Sequence, residues 1–494
     1  MAVPKEILEV PRPKNTVILV YGKNKDRYAV RKRIGCRNDN GRHLPTNGPI
    51  IGHIINGKYV PTDDIPSVEF SPVDEKEWAN VVLSDNLFHD IFDELREVYN
   101  YNDAIKIYCI AILRACHPGI KDYELQAAYE QSFLSELYPD VALSKNTVST
   151  FLHNVGRATS RIIQFMQNRS KTINLDHHLI IDGTLKTDDS KINSLSNFSR
   201  KAKLKGSRDI SILYAFDLEK KEPVCSKCFP GNMLDKTAYE EFISENKIEQ
   251  GIIIGDKAFP ESVAHEYFVT HPNVHYLNPI YRRSVLAKRY NMLQFTEPVK
   301  GVEDVTGRKE KCAVGNKWLY SFKNIFTAAT EEHNWLKTAK KKNDYDVEVL
   351  EKKKETFGTI ILESDLDMPL ETAYQIYANR WEIEIVMRFY KSACEFDNTR
   401  EHDNYSVMAS EFCDFLATVL TFRLLNEFDR TKLLETYTYK KIMGFLFGAR
   451  KLRQPQKDWE LKKVTKSILE VLQKLNLVPT PESVPKKRGR PKKY

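Results

Sequence analysis

Long hydrophobic stretches are absent from this 494-residue sequence. No uninterrupted apolar run approaches the ~18–20 residues that a membrane span needs. The first residues, MAVPKEILEVPRPK, also lack the apolar core of a signal peptide. These two absences argue against a membrane or secreted protein, so the sequence predicts a cytoplasmic one. Its length favours roughly three domains over one compact core.

Paired cysteines are also scarce. The chain has 8 cysteines, and only Cys225 and Cys228 form a Cys-x-x-Cys pair. A structural zinc site needs four ligands, usually from a second close pair, and the sequence has none. The pair also lies in Val224–Phe229, which is predicted to be a strand. Reduced thiols are therefore expected, as in other cytosolic proteins.

The first third of the chain divides into two parts. Residues 1–80 hold short β-branched runs between Gly, Asn and Pro, which predicts a small β-rich module. Residues 81–172 are helical in pattern, and Ser144 is a good cap for a helix that runs to about Arg157. This helix and the one before it could form a helix-turn-helix that reads DNA. Two packed helices without that role are the commoner alternative.

The rest of the chain alternates between strands and helices. Residues 173–280 predict a strand, a hairpin, a helix, a strand, a helix and a strand, which is the order of a ribonuclease-H-like α/β core. Residues 281–356 interrupt this order and are assigned to an insertion subdomain. Residues 357–430 resume the core, and residues 431–480 predict a C-terminal helical segment. The expected fold class is therefore α/β, with a helical region preceding an interrupted core.

Two aspartates follow apolar strands of the predicted core. The predicted strand that contains Leu179–Ile181 ends at Asp182, and the one that contains Ile252–Ile254 ends at Asp256. Side chains at the carboxyl ends of parallel strands face the crevice where such sheets bind ligands. Two adjacent carboxylates repel each other unless cations share the site, and a pair of divalent metals ~3.5–4 Å apart would relieve that repulsion. Either aspartate alone is more often a simple turn residue.

A helix predicted after Pro369 strengthens the catalytic interpretation. Tyr377, Arg380, Glu384 and Lys391 are spaced so that they lie within ~60° of one helix face, whereas Glu382 points about 200° away from Glu384. One tyrosine, two cations and one carboxylate form an unusual packing face. Their chemistry suits phosphate binding by the cations and metal binding by the glutamate.

The spacing Tyr-x2-Arg-x3-Glu-x6-Lys from residue 377 to residue 391 resembles the signature of transposases of the insertion-sequence-four superfamily. The resemblance covers roughly residues 175–425. It implies an Asp-Asp-Glu triad formed by Asp182, Asp256 and Glu384, which would hold two Mg²⁺ or Mn²⁺ ions. Tyr377, Arg380 and Lys391 would then bind DNA near the cut. The separation of 128 residues between Asp256 and Glu384 resembles the spacing left by the family's β-rich insertion before the catalytic helix, so the resemblance implies that residues 281–356 are β-rich.

Further expectations come from the same resemblance. The protein would bind the ends of an insertion sequence, cleave them and join the 3′-hydroxyl to target DNA, acting as a homodimer on double-stranded DNA. A nucleoid-associated location follows. Members that form hairpins stack a flipped base on an insertion tryptophan, and Trp318 and Trp335 are the candidates, although an ordinary buried role is as common. The alternatives are a domesticated DNA-binding regulator without cleavage activity and a purely hydrolytic nuclease.

The C-terminal tail is strongly basic. Its last fourteen residues contain six lysines or arginines and one glutamate, so they carry +5 of the chain's net charge of +8. The sequence Pro-Lys-Lys-Arg-Gly-Arg-Pro-Lys-Lys resembles an AT-hook, whose core here is Arg488, Gly489, Arg490 and Pro491. Such a core lies along the floor of a narrow, electronegative minor groove. A disordered lysine-rich tail is the alternative.

Overall fold

The structure, a computed structural model, divides the chain into two compact units. One comprises Met1–Val73 with Gln454–Lys457, and the other comprises Asp74–Arg453 with Asp458–Tyr494. The residues that the structure describes are 3–21, 27–39, 42–62, 73–188, 190, 192–199, 208–233, 235–255, 270–313, 315–342, 345–380, 399 and 401–479.

The smaller unit is a four-stranded antiparallel meander in the order β1-β2-β3-β4. Val10, Ile18, Val30 and Ile54 form its small apolar core. Its central strands are much longer than the outer two, so β2 and β3 form a two-stranded ribbon. The elements are α1 (Lys5–Leu8), β1 (Thr16–Tyr21), β2 (Arg27–Asp39), β3 (Arg42–Ile55) and β4 (Lys58–Pro61).

The larger unit begins with a short strand that is followed by a group of helices. The apolar residues of α3 are buried from Ala104 to Cys116, and Asn100 caps the N-terminus of the helix by accepting a hydrogen bond from the backbone of Asp103. The elements are β5 (Asp74–Glu77), α2 (Ala79–Val98), α3 (Tyr101–Cys116), α4 (Leu125–Glu130), α5 (Leu134–Leu137), α6 (Lys145–Arg157) and α7 (Thr159–Ser170).

A large mixed sheet follows. The strand β6 lies between antiparallel β8 and parallel β10, β9 pairs with β8, and β11 pairs in parallel with β10. This arrangement confirms the predicted α/β class. The elements are β6 (His178–Thr187), β7 (Asn197–Phe198), β8 (Arg208–Asp217), β9 (Glu222–Pro230), α8 (Asp235–Glu245), β10 (Gly251–Ile254) and β11 (Val274–Ile280).

Residues 281–356, predicted to form a β-rich insertion, contain both strands and helices. The strands of this part extend the same large sheet, because β14 pairs with β15, the first strand after residue 356, and β15 also pairs with β11. The elements from here to residue 364 are α9 (Val285–Arg289), β12 (Glu297–Pro298), β13 (Val305–Lys311), β14 (Trp318–Asn324), α10 (Ile325–Lys342), α11 (Val347–Lys354) and β15 (Thr359–Ser364).

The helix α13 is the centre of the larger unit. Most of its residues from Ser406 to Leu424 are buried on every side of the helix, as expected for a helix inside a large core. It packs against α3, α6 and β9. The last elements are α12 (described over residues 370–380), α13 (Asn404–Arg430), α14 (Tyr439–Gly448), β16 (Arg450–Arg453), β17 (Glu460–Leu461) and α15 (Lys466–Lys474).

A small second sheet connects distant parts of the larger unit. Strand β16 pairs with both β17 and β5, so residues near 450 lie beside residues 74–77. Among the described residues, no helix combines the length and the apolar character that a membrane span requires.

The contact between α6 and α13 leaves no room for a side chain at Gly156. A Cβ atom placed there would lie 1.8 Å from the backbone oxygen of Tyr405, whereas one placed at Gly444 in α14 would meet nothing within 4 Å. Gly156→Ala should therefore lower the free energy of unfolding by roughly 2–3 kcal/mol, because neither backbone can move away cheaply. Gly444→Ala should be neutral or stabilise by up to about 1 kcal/mol. Urea unfolding of both variants measures the difference, and equal effects would contradict the close approach of the helices.

Candidate active site

Asp182 lies in the middle of a strand. The sequence predicted that the strand ends at this residue, and that prediction is wrong, because β6 continues to Thr187. The continuation is stabilised by pairing with β8, in which Asp182 lies opposite Tyr214 and Thr187 opposite Asp209. The side chain is half-buried, and its Oδ1 accepts a hydrogen bond of 2.8 Å from the backbone N–H of Gly183.

The neighbouring strand β10 reaches the same level of the sheet. Ile254 pairs with Ile180 in parallel register, and Asp182 and Asp256 each follow these paired residues by two positions in the sequence. Asp256 itself lies outside the described residues. So do the other predicted site residues beyond residue 380, namely Glu384, Lys391, Arg488, Gly489, Arg490 and Pro491.

Tyr377 and Arg380 lie one helical turn apart in α12 and contact each other. The Arg380 guanidinium donates a hydrogen bond of 3.0 Å to the Tyr377 hydroxyl. Tyr377 is only 6% exposed and belongs to the main core, whereas Arg380 is half-buried. The two residues are thus not equivalent, because the tyrosine is in a position to orient the arginine.

A buried ionic network lies on the same face of β6 as Asp182. Lys186 follows Asp182 by four residues, and side chains two and four positions apart in a strand point to one face. Its Nζ donates hydrogen bonds to Glu411 (2.5 Å) and Asp414 (2.9 Å) of α13. The guanidinium of Arg114 in α3 donates to the other oxygen of Asp414 at 2.8 Å. Sequence reasoning missed this network, since no local motif marks it.

A cavity of about 290 Å³ opens beside the network and is lined by several acids. Burial raises the pKa of Glu411 to about 7, and the Asp414 charge adds to this effect. Burial and a hydrogen bond with Asp122 raise the pKa of Glu401 to about 7. The pKa of Asp414 is lowered because Lys186 and Arg114 together outweigh its burial. Asp414 therefore carries the negative charge that the two buried cations share.

A second group of metal-type ligands lies near the other end of β6. His177, Asp217 and Glu219 bring ligand atoms within 4.8 Å of one another. His177 precedes Asp182 by five strand positions, about 16 Å along the chain. His177 Nδ1 forms a hydrogen bond of 2.6 Å with Asp217 Oδ2. Glu219 accepts a hydrogen bond of 2.7 Å from the backbone N–H of His178. These bonds connect the start of β6 to the turn between β8 and β9.

The two insertion tryptophans differ in surroundings. Trp318 begins β14, and the ammonium groups of Lys309 and Lys311 lie 4.6 and 5.4 Å from its ring centroid. Trp335 lies on α10 and contacts Lys353 in the same way at 5.5 Å. Both rings are half-buried.

Asp182 lies on β6, the central strand of the five-strand run β9-β8-β6-β10-β11. A carboxylate in such a place, near the end of a parallel neighbour, is suited to metal-dependent chemistry on phosphate esters. Residues 174–407 match the family model described as the transposase DDE domain. The protein is thus a DDE-type DNA transposase, an enzyme that cleaves and joins DNA. This finding confirms the predicted enzyme class. Enzymes of this class use divalent metal ions.

Two solved structures are similar to the chain. The first is the synaptic complex of piggyBac transposase with hairpin DNA, at 14% identity and a TM-score of 0.38, covering 76% of this chain and 82% of that one. The second is the paired-end complex of Mos1 transposase with the left transposon end, at 14% identity and a TM-score of 0.15, covering 32% of this chain and 58% of that one. No curated protein matches the chain.

The raised pKa of Glu411 predicts how stability changes with pH. A glutamate near its ordinary pKa of 4.5 in the unfolded chain and near 7 in the folded one favours folding only while it is protonated. This contribution is complete below pH 4.5 and is lost as the pH rises through about 7. Glu411→Gln keeps the neutral form, so its stability relative to the wild type should rise over this window by up to about 3 kcal/mol.

Urea unfolding of both proteins at half-unit steps from pH 4.5 to 8 measures this difference. Glu401 titrates in both proteins, so the comparison isolates Glu411. If the free energies of unfolding of variant and wild type changed with pH in parallel, Glu411 would be ionised in the folded protein throughout the range.

Proposed function

We propose that the protein is the transposase of an insertion sequence, that it nicks the transposon ends, and that it joins the resulting 3′-hydroxyl to target DNA. The observation that carries this proposal is the place of Asp182 on the central strand, within the matched domain. The strand order β9-β8-β6-β10-β11 supports a ribonuclease-H-like core for that domain. The signature from Tyr377 to Lys391 supports membership of the insertion-sequence-four superfamily.

The metal-binding residues in this proposal are Asp182, Asp256 and Glu384. Asp182 fits the role, since its carboxylate is half-buried and its Oδ1 accepts a hydrogen bond from the backbone N–H of Gly183, which orients it. Carboxylate oxygens suit Mg²⁺ or Mn²⁺ as ligands. A pair of such ions, when bound, would lower the pKa of a water or hydroxyl and stabilise the leaving oxygen. The three carboxylates would hold the two ions beside the scissile phosphate.

Phosphate binding is assigned to Arg380 and Lys391, with Tyr377 as the residue that positions Arg380. The bond between the Tyr377 hydroxyl and the guanidinium supports this division of roles. A fixed guanidinium donates to phosphate oxygens in a defined geometry and loses less rotamer freedom on binding.

The remaining proposals concern the complex with DNA. A homodimer would bridge two transposon ends. The tail around Arg488, Gly489, Arg490 and Pro491 would contact the minor groove of A·T-rich DNA as an AT-hook does. The exposed side of α6, which includes Asn146, Ser149 and Thr150, is available for a helix-turn-helix role. We also propose that the domains of the chain end at residues 80, 172, 280, 356, 430 and 480, as the sequence predicts.

The central test compares two glutamates that are neighbours in sequence. Glu384→Gln removes a proposed metal ligand, so cleavage and joining should fall by orders of magnitude while binding to end DNA persists. Glu382→Gln is the matched control and should change both activities by only a few-fold. The assay incubates each protein with end-containing and target DNA in Mg²⁺ or Mn²⁺ and resolves nicked and joined products.

Other outcomes of that assay discriminate between the alternatives. Asp182→Asn should behave like Glu384→Gln. Hydrolysis without joined product in the wild type would identify a nuclease, and end binding without any cleavage would identify a DNA-binding regulator. Equal losses in the two glutamate variants would contradict the assignment of the helix register.

The tail is tested by deletion of residues 486–494. Loss of six cations should weaken binding to A·T-rich duplexes and lower the slope of log affinity against log salt, because fewer counterions are released. Metal-dependent cleavage of bound ends should be retained. A truncated protein with the slope of the full chain would show that the tail does not contact DNA.

A further inference from the structure

The ribbon formed by β2 and β3 extends past the rest of the small unit. Strand β1 accompanies β2 only from Arg27 to Lys32, and β4 accompanies β3 only from Gly52 to Ile55. The backbone N–H of Arg33 still donates to the Asn15 oxygen at 2.8 Å. Within the described residues, the ribbon from Ile34 to Asn47 forms strand pairs only with itself, the last of them Asp39–Arg42. Seven residues of β2 beyond Lys32 correspond to about 20 Å of two-stranded structure.

Positive charge in the small unit is concentrated on this ribbon. From Arg27 to Ile55 the sequence has six lysines or arginines and one acid, Asp39, a net charge of +5. The remainder of residues 1–73 has equal numbers of cations and acids. This segment, Arg27–Ile55, is called the basic ribbon below.

The cations at the base of the basic ribbon are available to a partner. Lys32 and Arg33 are exposed and Arg31 is half-buried, and in the described part of the chain none of the three forms an ion pair. Ile34 beside them is 63% exposed. Three neighbouring cations without internal acids repel one another, so a polyanion that neutralises them would be bound favourably.

Backbone irregularities increase the twist of the basic ribbon, which suits a binding partner whose surface is also twisted. The register shifts three times between Val30 and Gly35, and such bulges increase the right-handed twist of a strand pair. Gly48 permits close packing there, because a Cβ atom on it would lie 3.0 Å from Ile34 Cγ2. The major groove, about 12 Å wide, admits a two-stranded ribbon without deformation of the duplex, whereas the minor groove of about 6 Å would have to be widened.

We propose that the basic ribbon docks in the major groove of double-stranded DNA, with Arg31, Lys32 and Arg33 neutralising backbone phosphates at the groove edge. β-Ribbons of other folds bind the major groove in this way. A second copy of the chain is disfavoured as the occupant, since two ribbons of like charge would repel. The inference rests on the proposed function only in that duplex DNA is the substrate.

The experiment compares two triple variants of the full-length protein. Arg31→Gln/Lys32→Gln/Arg33→Gln removes three charges from the ribbon. Lys5→Gln/Lys14→Gln/Lys58→Gln removes three exposed charges elsewhere in the same unit. Binding to a duplex is measured across salt concentrations. The ribbon variant should bind at least tenfold more weakly and lose up to about 2.7 from the slope of log affinity against log salt. The control should stay within about twofold.

Dimethyl sulfate footprinting then identifies the groove, because it methylates guanine N7 in the major groove. Wild-type protein should protect guanines that the ribbon variant leaves reactive. Arg31→Lys/Arg33→Lys retains the charge and should restore the salt slope, which separates a charge effect from misfolding.

Each contrary result has a distinct meaning. A ribbon variant with the salt slope of the control would overturn the inference, as would a lowered slope without guanine protection. Failure of the wild-type chain to bind any duplex would instead contradict the proposed function. Cleavage of ends by a ribbon variant at high protein concentration is compatible with the proposed function and leaves the binding comparison decisive for the ribbon.

Discussion

The ion pair between Lys186 and Asp414 fixes the strand that carries Asp182 to the central helix of the larger unit. The ammonium is buried on all sides, and its partners lie 225 and 228 residues away in the sequence. Removing charges from water costs several kcal/mol per ion, and the attraction repays this only when the geometry is good. A small shift of α13 along β6 would leave a buried charge unpaired, so the network permits essentially one arrangement of helix and strand.

Arg114 extends the same constraint to a third element. It donates to Asp414 at 2.8 Å, to the backbone oxygen of Ser410 at 2.9 Å and to Asp122 at 3.1 Å. The helix α3 of the N-terminal helical region is thereby held to α13, which is held to β6. Acids outnumber the two cations here, and burial raises the pKa of both Glu411 and Glu401 to about 7, so proton uptake near that pH reduces the surplus of negative charge. A carboxylate used for metal binding needs a rigid support, and this network provides it from one side of the strand.

Local patterns in the sequence were sufficient for the central strands and for the class of enzyme. The apolar runs Leu179–Ile181 and Ile252–Ile254 are short, β-branched and bounded by polar residues, so β6 and β10 were predictable. The prediction failed at the end of β6, because Thr184 and Lys186 look polar and yet are buried by α13 and the helices around it. Likewise, no local signal shows that β15 pairs with both β11 and β14, which makes the predicted insertion continuous with the core sheet. Both features depend on contacts between distant residues.

Positive charge is concentrated on two segments of the chain. The basic ribbon and the C-terminal tail each carry +5, more together than the total of +8, so all other residues sum to −2. A nearly neutral body does not attract DNA strongly over its whole surface, and non-specific binding there would compete with correct placement of an end. In the proposed function, the basic ribbon and the tail capture DNA through salt-sensitive contacts, and Asp182 takes part in positioning it. The strand that carries Asp182 is held by buried ion pairs, which salt screens much less than exposed ones.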